Sequence, residues 1–170
     1  MNEILKYTFV KETIEVKDGE LTIGEPKEIT AYFTMKISGI SLFEREYGKP
    51  LLKTLTDILS RMDEESLKQL QAYADTGEGI AEDRIAMMIG LSDGLLDSKF
   101  VRALAGASYT KIEGNMPLNT IATMQEFKES DMYDLCLGDF DFIGKLLSMA
   151  VDCINAKNKK STQQQGKRKN

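Results

Sequence analysis

Four aspartates, Asp131, Asp134, Asp139 and Asp141, fall within eleven residues. Carboxylates gathered this closely can hold Mg²⁺ or exchange a proton with a substrate. They also have a structural use: Asp139 and Asp141 stand where a helix is predicted to begin, and aspartates there accept backbone N–H bonds and favour the positive end of the helix. No partner lysine, glycine loop or second carboxylate motif accompanies them, so capping is the expected role. The chain has no histidine. That removes Ser-His and Cys-His nucleophiles, His-ligated zinc and the commonest general base. Thr76-Gly77-Glu78-Gly79 brings two glycines together, but position 82 is Glu82 and no Gly-Lys-Ser/Thr follows, so the phosphate-loop fingerprint fails and a plain loop is predicted. The expectation is a protein without catalytic residues, cofactor or metal.

Two further groups concern binding. Nine methionines, among them Met87, Met88 and Met116, can form an adaptable apolar surface, although Met35 and Met88 sit at core-facing spacing. Cys136 and Cys153 lie in apolar, helical surroundings and are too few for a disulfide framework; two packed, reduced thiols are expected.

The elements that must carry these residues follow from patterning. Ile4–Val16 reads as a strand, Lys17-Asp18-Gly19-Glu20 as an Asp-Gly turn, and Leu21–Ile23 as a short returning strand. Gly24 and Pro26 make a second turn. From Ile29 the alternation is clean: Ile29, Ala31, Phe33, Met35 and Ile37 on one face, Thr30, Tyr32, Thr34, Lys36 and Ser38 on the other. Gly39 is expected to end this strand. Ser41 with Glu44 fits a capping box for a short helix, Leu42–Tyr47, closed by a left-handed Gly48, with Pro50 at the first position of the next helix. Within it Phe43 and Tyr47 are four apart and staple the turn to the core, which makes Phe43, Arg45, Tyr47 and Pro50 the candidate junction or partner-binding residues.

Helical stripes then continue. They are Leu51, Leu52, Leu55, Ile58, Leu59 and Met62; Leu67, Leu70 and Ala74 after an Asp63 cap; Ile85, Met88 and Ile89; and Leu96, Phe100 and Leu104 within Asp93–Ala105. An irregular stretch with Gly106, Gly114 and Pro117 leads to a helix at Leu118–Lys128 and a short segment around Tyr133. A last helix runs from Asp139 or Phe140 to Ala156, with stripe Phe140, Ile143, Leu147, Ala150, Val151 and Ile154.

The fold class expected is α+β, mainly α: a small N-terminal antiparallel β-sheet followed by a helical bundle. With 170 residues, 42% hydrophobic and 29% charged, the chain can bury a core and is too apolar to be disordered. One globular domain is expected over 1–156, with a β-hairpin part at about 3–38 and a helical part at about 41–156. Residues 157–170 have no apolar side chain and hold six of the 22 basic residues with no acid, so a disordered basic tail is expected. The remaining body, 1–156, carries 16 bases against 27 acids, which disfavours nucleic acid as its main partner. No apolar run is long enough for a bilayer, and Met1–Lys11 has no signal-peptide core, so no membrane partner and a cytosolic location are expected.

The strand ITAYFTMKISG leading into LFEREYGKPLLKTL, followed by an acidic, largely helical remainder and a lysine-rich end, resembles the tail assembly chaperones of long-tailed phages and prophages of Gram-positive bacteria. The resemblance covers most of the chain. It implies a non-enzymatic protein of the host cytoplasm that binds the tape measure protein, keeps its apolar helices soluble and is not retained in the virion. It also implies two products made by ribosomal frameshifting, this chain being the shorter and the longer one recruiting the tail tube protein. Gln165-Gly166-Lys167 and Ala156-Lys157-Asn158 can both be encoded with a slippery heptamer, the former preferred because slippage there leaves the body intact in both products. Coating a long partner implies a homo-oligomer or repeated binding. Two alternatives remain open: a structural tail completion or connector protein, and a carboxylate-dependent, Mg²⁺-using enzyme built on the four aspartates.

Overall fold

The structure is a computed structural model and describes residues 3–61, 64, 68 and 97–167. It is α+β, with small antiparallel ladders and six helices among the described residues. β1 (Leu5–Lys11) pairs with β4 (Lys27–Phe33), Leu5 opposite Phe33 and Lys11 opposite Lys27. β2 (Ile14–Lys17) pairs with β3 (Glu20–Ile23), Ile14 opposite Ile23. The two ladders follow one another along the same pair of chain segments, forming a ribbon. Asp18 (φ 55°) and Gly19 (φ 82°) close its tip; positive φ at both central residues gives the tight turn whose twist matches that of the strands.

The single strand expected over Ile4–Val16 is therefore two. Between the ladders Glu12 and Thr13 face three residues, 24–26, and this bulge bends the ribbon. Gly24 N–H donates to Thr13 O (2.8 Å) and Thr13 Oγ1 donates to Glu25 O (2.7 Å), so the interruption keeps its polar groups satisfied.

β4 begins two residues earlier than Ile29 and ends at Phe33, well before Ser38. Thr34, on the outer face by alternation, is fully buried: its N–H donates to Ser108 O (2.8 Å) and its Oγ1 to Glu3 O (3.1 Å). α1 (Ile37–Tyr47) then starts after Lys36, without a side-chain cap. Three expectations fail here for one reason. The alternation through Ile37 continues by coincidence, while Gly39, Ile40 and Phe43 recur at helical spacing and are the buried positions. Ile37 is exposed, Ser41 lies inside the helix, and Glu44 Oε1 accepts instead from Leu51 N–H (3.2 Å) at the head of the next helix. Gly39 does not end a strand. A Cβ there would lie 2.5 Å from Ala107 O, so glycine lets the α1 backbone rest on the helix that carries Ala107. Gly48 closes α1 in the left-handed conformation expected (φ 84°), its N–H donating to Glu44 O.

α2 (Leu51–Ser60) buries Leu51, Leu55 and Ile58 but leaves Leu52 exposed. Pro50 precedes this helix rather than opening it, and its carbonyl accepts from Thr54 N–H (3.0 Å). The stripe residues Met62, Leu67, Leu70 and Ala74, the 76–79 loop, the 85–89 stripe and Leu96 lie outside the described residues. α3 (Ser98–Ser108) is capped by Asp97, which accepts from Phe100 N–H (2.6 Å). It continues past the expected Ala105 to Ser108, almost wholly buried from Phe100 onward.

The irregular stretch is a second hairpin, β5 (Thr110–Glu113) with β6 (Met116–Ile121), turned at Gly114 (φ 61°). It removes most of the helix expected over Leu118–Lys128. Only α4 (Met124–Lys128) remains, opened by a reciprocal cap: Glu126 N–H donates to Thr123 Oγ1 (3.2 Å) and Thr123 N–H to Glu126 Oε2 (2.6 Å). A Phe33–Tyr109 bridge ties the ribbon to this hairpin. α5 (Met132–Leu135) and α6 (Phe140–Lys167) complete the chain. α6 runs to Lys167, so the stretch from Lys157 expected to be disordered is helical backbone up to that point. It contains good helix formers (Lys, Gln) and no proline.

The core lies where the base of the ribbon meets α6. The Phe142 ring stands 4.7 Å from both Phe9 and Phe33, and Tyr7 stands 5.1 Å from Phe142. Ile143, Leu147, Ala150 and Ile154 are buried as the α6 stripe predicts, whereas Val151 is exposed and Phe142 and Leu146 supply buried contacts that the stripe omitted. Among the described residues no helix is long and apolar enough to cross a membrane.

Candidate functional site

The four aspartates do not converge. Asp131 pairs with Lys11 of β1 (2.8 Å). Asp134 pairs with Arg102 of α3 (2.7 Å), whose Nε also donates to Tyr133 O (2.9 Å) and whose guanidinium lies 4.0 Å over the Tyr133 ring. Asp139 and Asp141 do meet, at one hydroxyl. Tyr7 Oη lies 2.7 Å from Asp139 Oδ1 and 3.0 Å from Asp141 Oδ2, so its single proton serves one carboxylate at a time. Asp139 also accepts Phe142 N–H (3.0 Å), and Asp141 pairs with Lys145 (3.3 Å). Burial, then the hydrogen bond to Asp139, pushes the Tyr7 hydroxyl far above its ordinary range, so it stays a neutral donor. The cluster therefore fastens β1 to the starts of α5 and α6, and α5 to α3, through separate partners. Among the described residues no group of three or more His, Cys, Asp or Glu is arranged to hold a metal ion.

At the junction, Phe43 is fully buried, its ring 5.3 Å from Tyr47 and 5.6 Å from Phe100. This is the staple expected from their spacing, with Phe100 as the third member. Burial raises the Tyr47 hydroxyl's pKa, helped by the charge of Asp97. Arg45 faces elsewhere. With Lys36, Leu42 and Asn119 it lines an open depression of about 510 Å³ between α1 and β6. Phe43 and Tyr47 are thus packing residues, Pro50 positions α2, and Arg45 borders a surface concavity.

Cys136 is buried, its thiol donating weakly to Tyr133 O (3.5 Å), and burial pushes its pKa up to about 12 against the partial opposition of Arg102. Cys153 is half-buried and not disulfide-bonded. Met35 is buried as its spacing implied, Met116 is exposed at the turn of the second hairpin, and Met87 and Met88 lie outside the described residues.

Among the described residues, the ribbon tip carries an apolar display of its own. Ile14, Val16, Leu21 and Ile23 are each 70–82% exposed. The register pairs Ile14 with Ile23 and Val16 with Leu21, and strand alternation puts all four on one face of the ribbon tip. Glu15, Lys17, Glu20 and Thr22 occupy the other face. A signal for this stands in the sequence. In β1 the apolar core residues are odd-numbered (Leu5, Tyr7, Phe9), while in β2 they are even-numbered (Ile14, Val16). Reading Ile4–Val16 as one strand hides that change of side.

Compared with models of protein families, with curated proteins and with solved structures, the chain matches none.

Proposed function

We propose that this protein is a tail assembly chaperone of a long-tailed phage or prophage, binding the tape measure protein and keeping its apolar helices soluble before assembly. On this reading a longer frameshifted form recruits tail tube protein. The observation that carries the proposal is the contrast between a tightly packed aromatic core and large aliphatic side chains held in water. Six phenylalanines are fully buried or within 1% of it, while Ile14, Val16, Leu21, Ile23, Ile37 and Leu52 are more than half exposed. Apolar surface displayed by a well-packed protein is surface for covering another molecule. The acidic body supports the reading, because net charge keeps such a binder dispersed. The strand-to-helix junction that resembles the family supports it as well.

The test is co-expression with fragments tiling a tape measure protein from the same genome. At least one fragment that is insoluble alone is expected to move into the soluble fraction as a complex with this chain. Unchanged solubility for every fragment overturns the proposal.

A further inference from the structure

The ribbon tip has the dimensions and charge of a seat for one amphipathic helix. Its four apolar side chains form a two-by-two patch, about 7 Å apart along each strand and about 4.8 Å across the pair. A helix with its side chains is about 10–12 Å across and rises about 1.5 Å per residue, so about two turns of helix would cover the patch. Both strands of the tip are exposed along their whole length, and a two-stranded hairpin alone is only marginally stable in water. Covering one face therefore stabilises the tip as well as the visitor.

Charge selects the visitor. Residues 12–25 hold five carboxylates against one lysine; Glu15, Glu20 and Lys17, which pairs with Glu15 (3.5 Å), lie on the opposite face, which leaves Glu12, Asp18 and Glu25 at the ends of the apolar one. Glu12 and Glu25 flank the apolar patch at its base and Asp18 stands at its tip, so acid borders both ends. A second copy of this chain would bring the same acids against them, which disfavours self-pairing face to face. An apolar stripe bordered by lysines or arginines fits instead.

We infer that the Ile14–Val16–Leu21–Ile23 face binds a short amphipathic helical segment whose apolar stripe is flanked by basic residues. The inference rests on the proposed function only for the source of that helix, a segment of the tape measure protein. The face and the chemistry stand on the ribbon itself.

The experiment uses the full chain and a fluorescent synthetic peptide of about fourteen residues, leucine on one helical face and lysine on the other, with a leucine/glutamate peptide of the same pattern as control. Anisotropy is expected to show saturable binding of the lysine peptide and more than about tenfold weaker binding of the glutamate one. The variant Ile14→Thr/Val16→Thr/Leu21→Thr/Ile23→Thr changes no charge and keeps β-favouring residues. It is expected to weaken binding by more than about tenfold with an unchanged thermal midpoint. Where that variant does not fold, amide exchange on the wild-type chain decides: the peptide should protect residues 14–23. Equal binding by the variant, equal binding of both peptides, or protection confined to other segments overturns the inference. So does sedimentation showing that the face instead dimerises the chain, with the association lost in the variant. If co-expression fails while the lysine peptide protects the tip, the chaperone reading falls and the helix seat stands. If the variant solubilises the tape measure fragment as well as wild type but loses the lysine peptide, the tape measure protein is overturned as the source of the helix, while the seat and the chaperone reading stand.

Discussion

The base and the tip of the N-terminal ribbon are built alike and end up in opposite environments. Each is an antiparallel ladder of alternating apolar and polar residues. At the base Phe9, Ala31 and Phe33 are buried against Phe142 of α6. At the tip Ile14, Val16, Leu21 and Ile23 face water. Alternation specifies that a strand has an apolar face; it does not specify what covers it. At the base, helices of the same chain supply the cover. Past the bulge at Glu12–Thr13 no described element packs on the apolar side, and the ladder holds through its turn and cross-strand pairs.

The contrast breaks most visibly in the core. Phe9→Ala removes a ring packed against Tyr7, Phe33 and Phe142 and is expected to cost about 3–5 kcal/mol, read as a lowered denaturant midpoint. Phe43→Asp, which buries a carboxylate with no cationic partner, is expected to abolish cooperative unfolding altogether. An unchanged midpoint in Phe9→Ala would mean that the base is no more committed to the core than the tip, and in Phe43→Asp that α1 is not packed on it either.

A smaller effect is expected in alkali. The unfolded Cys136 thiol ionises near its ordinary 9.0, while burial holds the native one at about 12. Between those values the native state keeps a proton that the unfolded state has lost. Stability is therefore intact below pH 9 and falls as pH rises toward 12, by up to about 1.4 kcal/mol per pH unit. Tyr7 adds a loss of the same sign above pH 10. Cys136→Ala should flatten the fall between pH 9 and 10 in urea titrations and make the loss above pH 10 shallower than in wild type, leaving only the share of Tyr7 there. An identical slope in wild type and variant would remove Cys136 from the account.

The smallest effect belongs to the tip. Ile23→Thr replaces a side chain that is 82% exposed and is expected to change stability by less than about 0.5 kcal/mol in the same urea titrations. A cost approaching that of Phe9→Ala would mean that the tip is covered in solution and that the difference between the two halves of the ribbon does not hold.

What the sequence determined by itself lies in short-range signals. The Asp18-Gly19 turn, the left-handed Gly48, the Leu51–Leu55–Ile58 stripe and the stapling of Phe43 to Tyr47 each depend on residues within about one helical turn or one hairpin loop of each other, so the local residue types suffice. The expectation of α+β rested on the same kind of signal. Tertiary structure decided the rest. Tyr7 meets Asp139 across 132 positions of sequence, Gly39 became a helix contact because Ala107 lies against it, and Arg102 took Asp134 from the carboxylate cluster. The second hairpin overrode a helix expected over the same residues. At the ribbon tip, alternation marked an apolar face, but only packing could show that the folded chain leaves it in water, because burial depends on elements distant in sequence and periodicity carries no record of them.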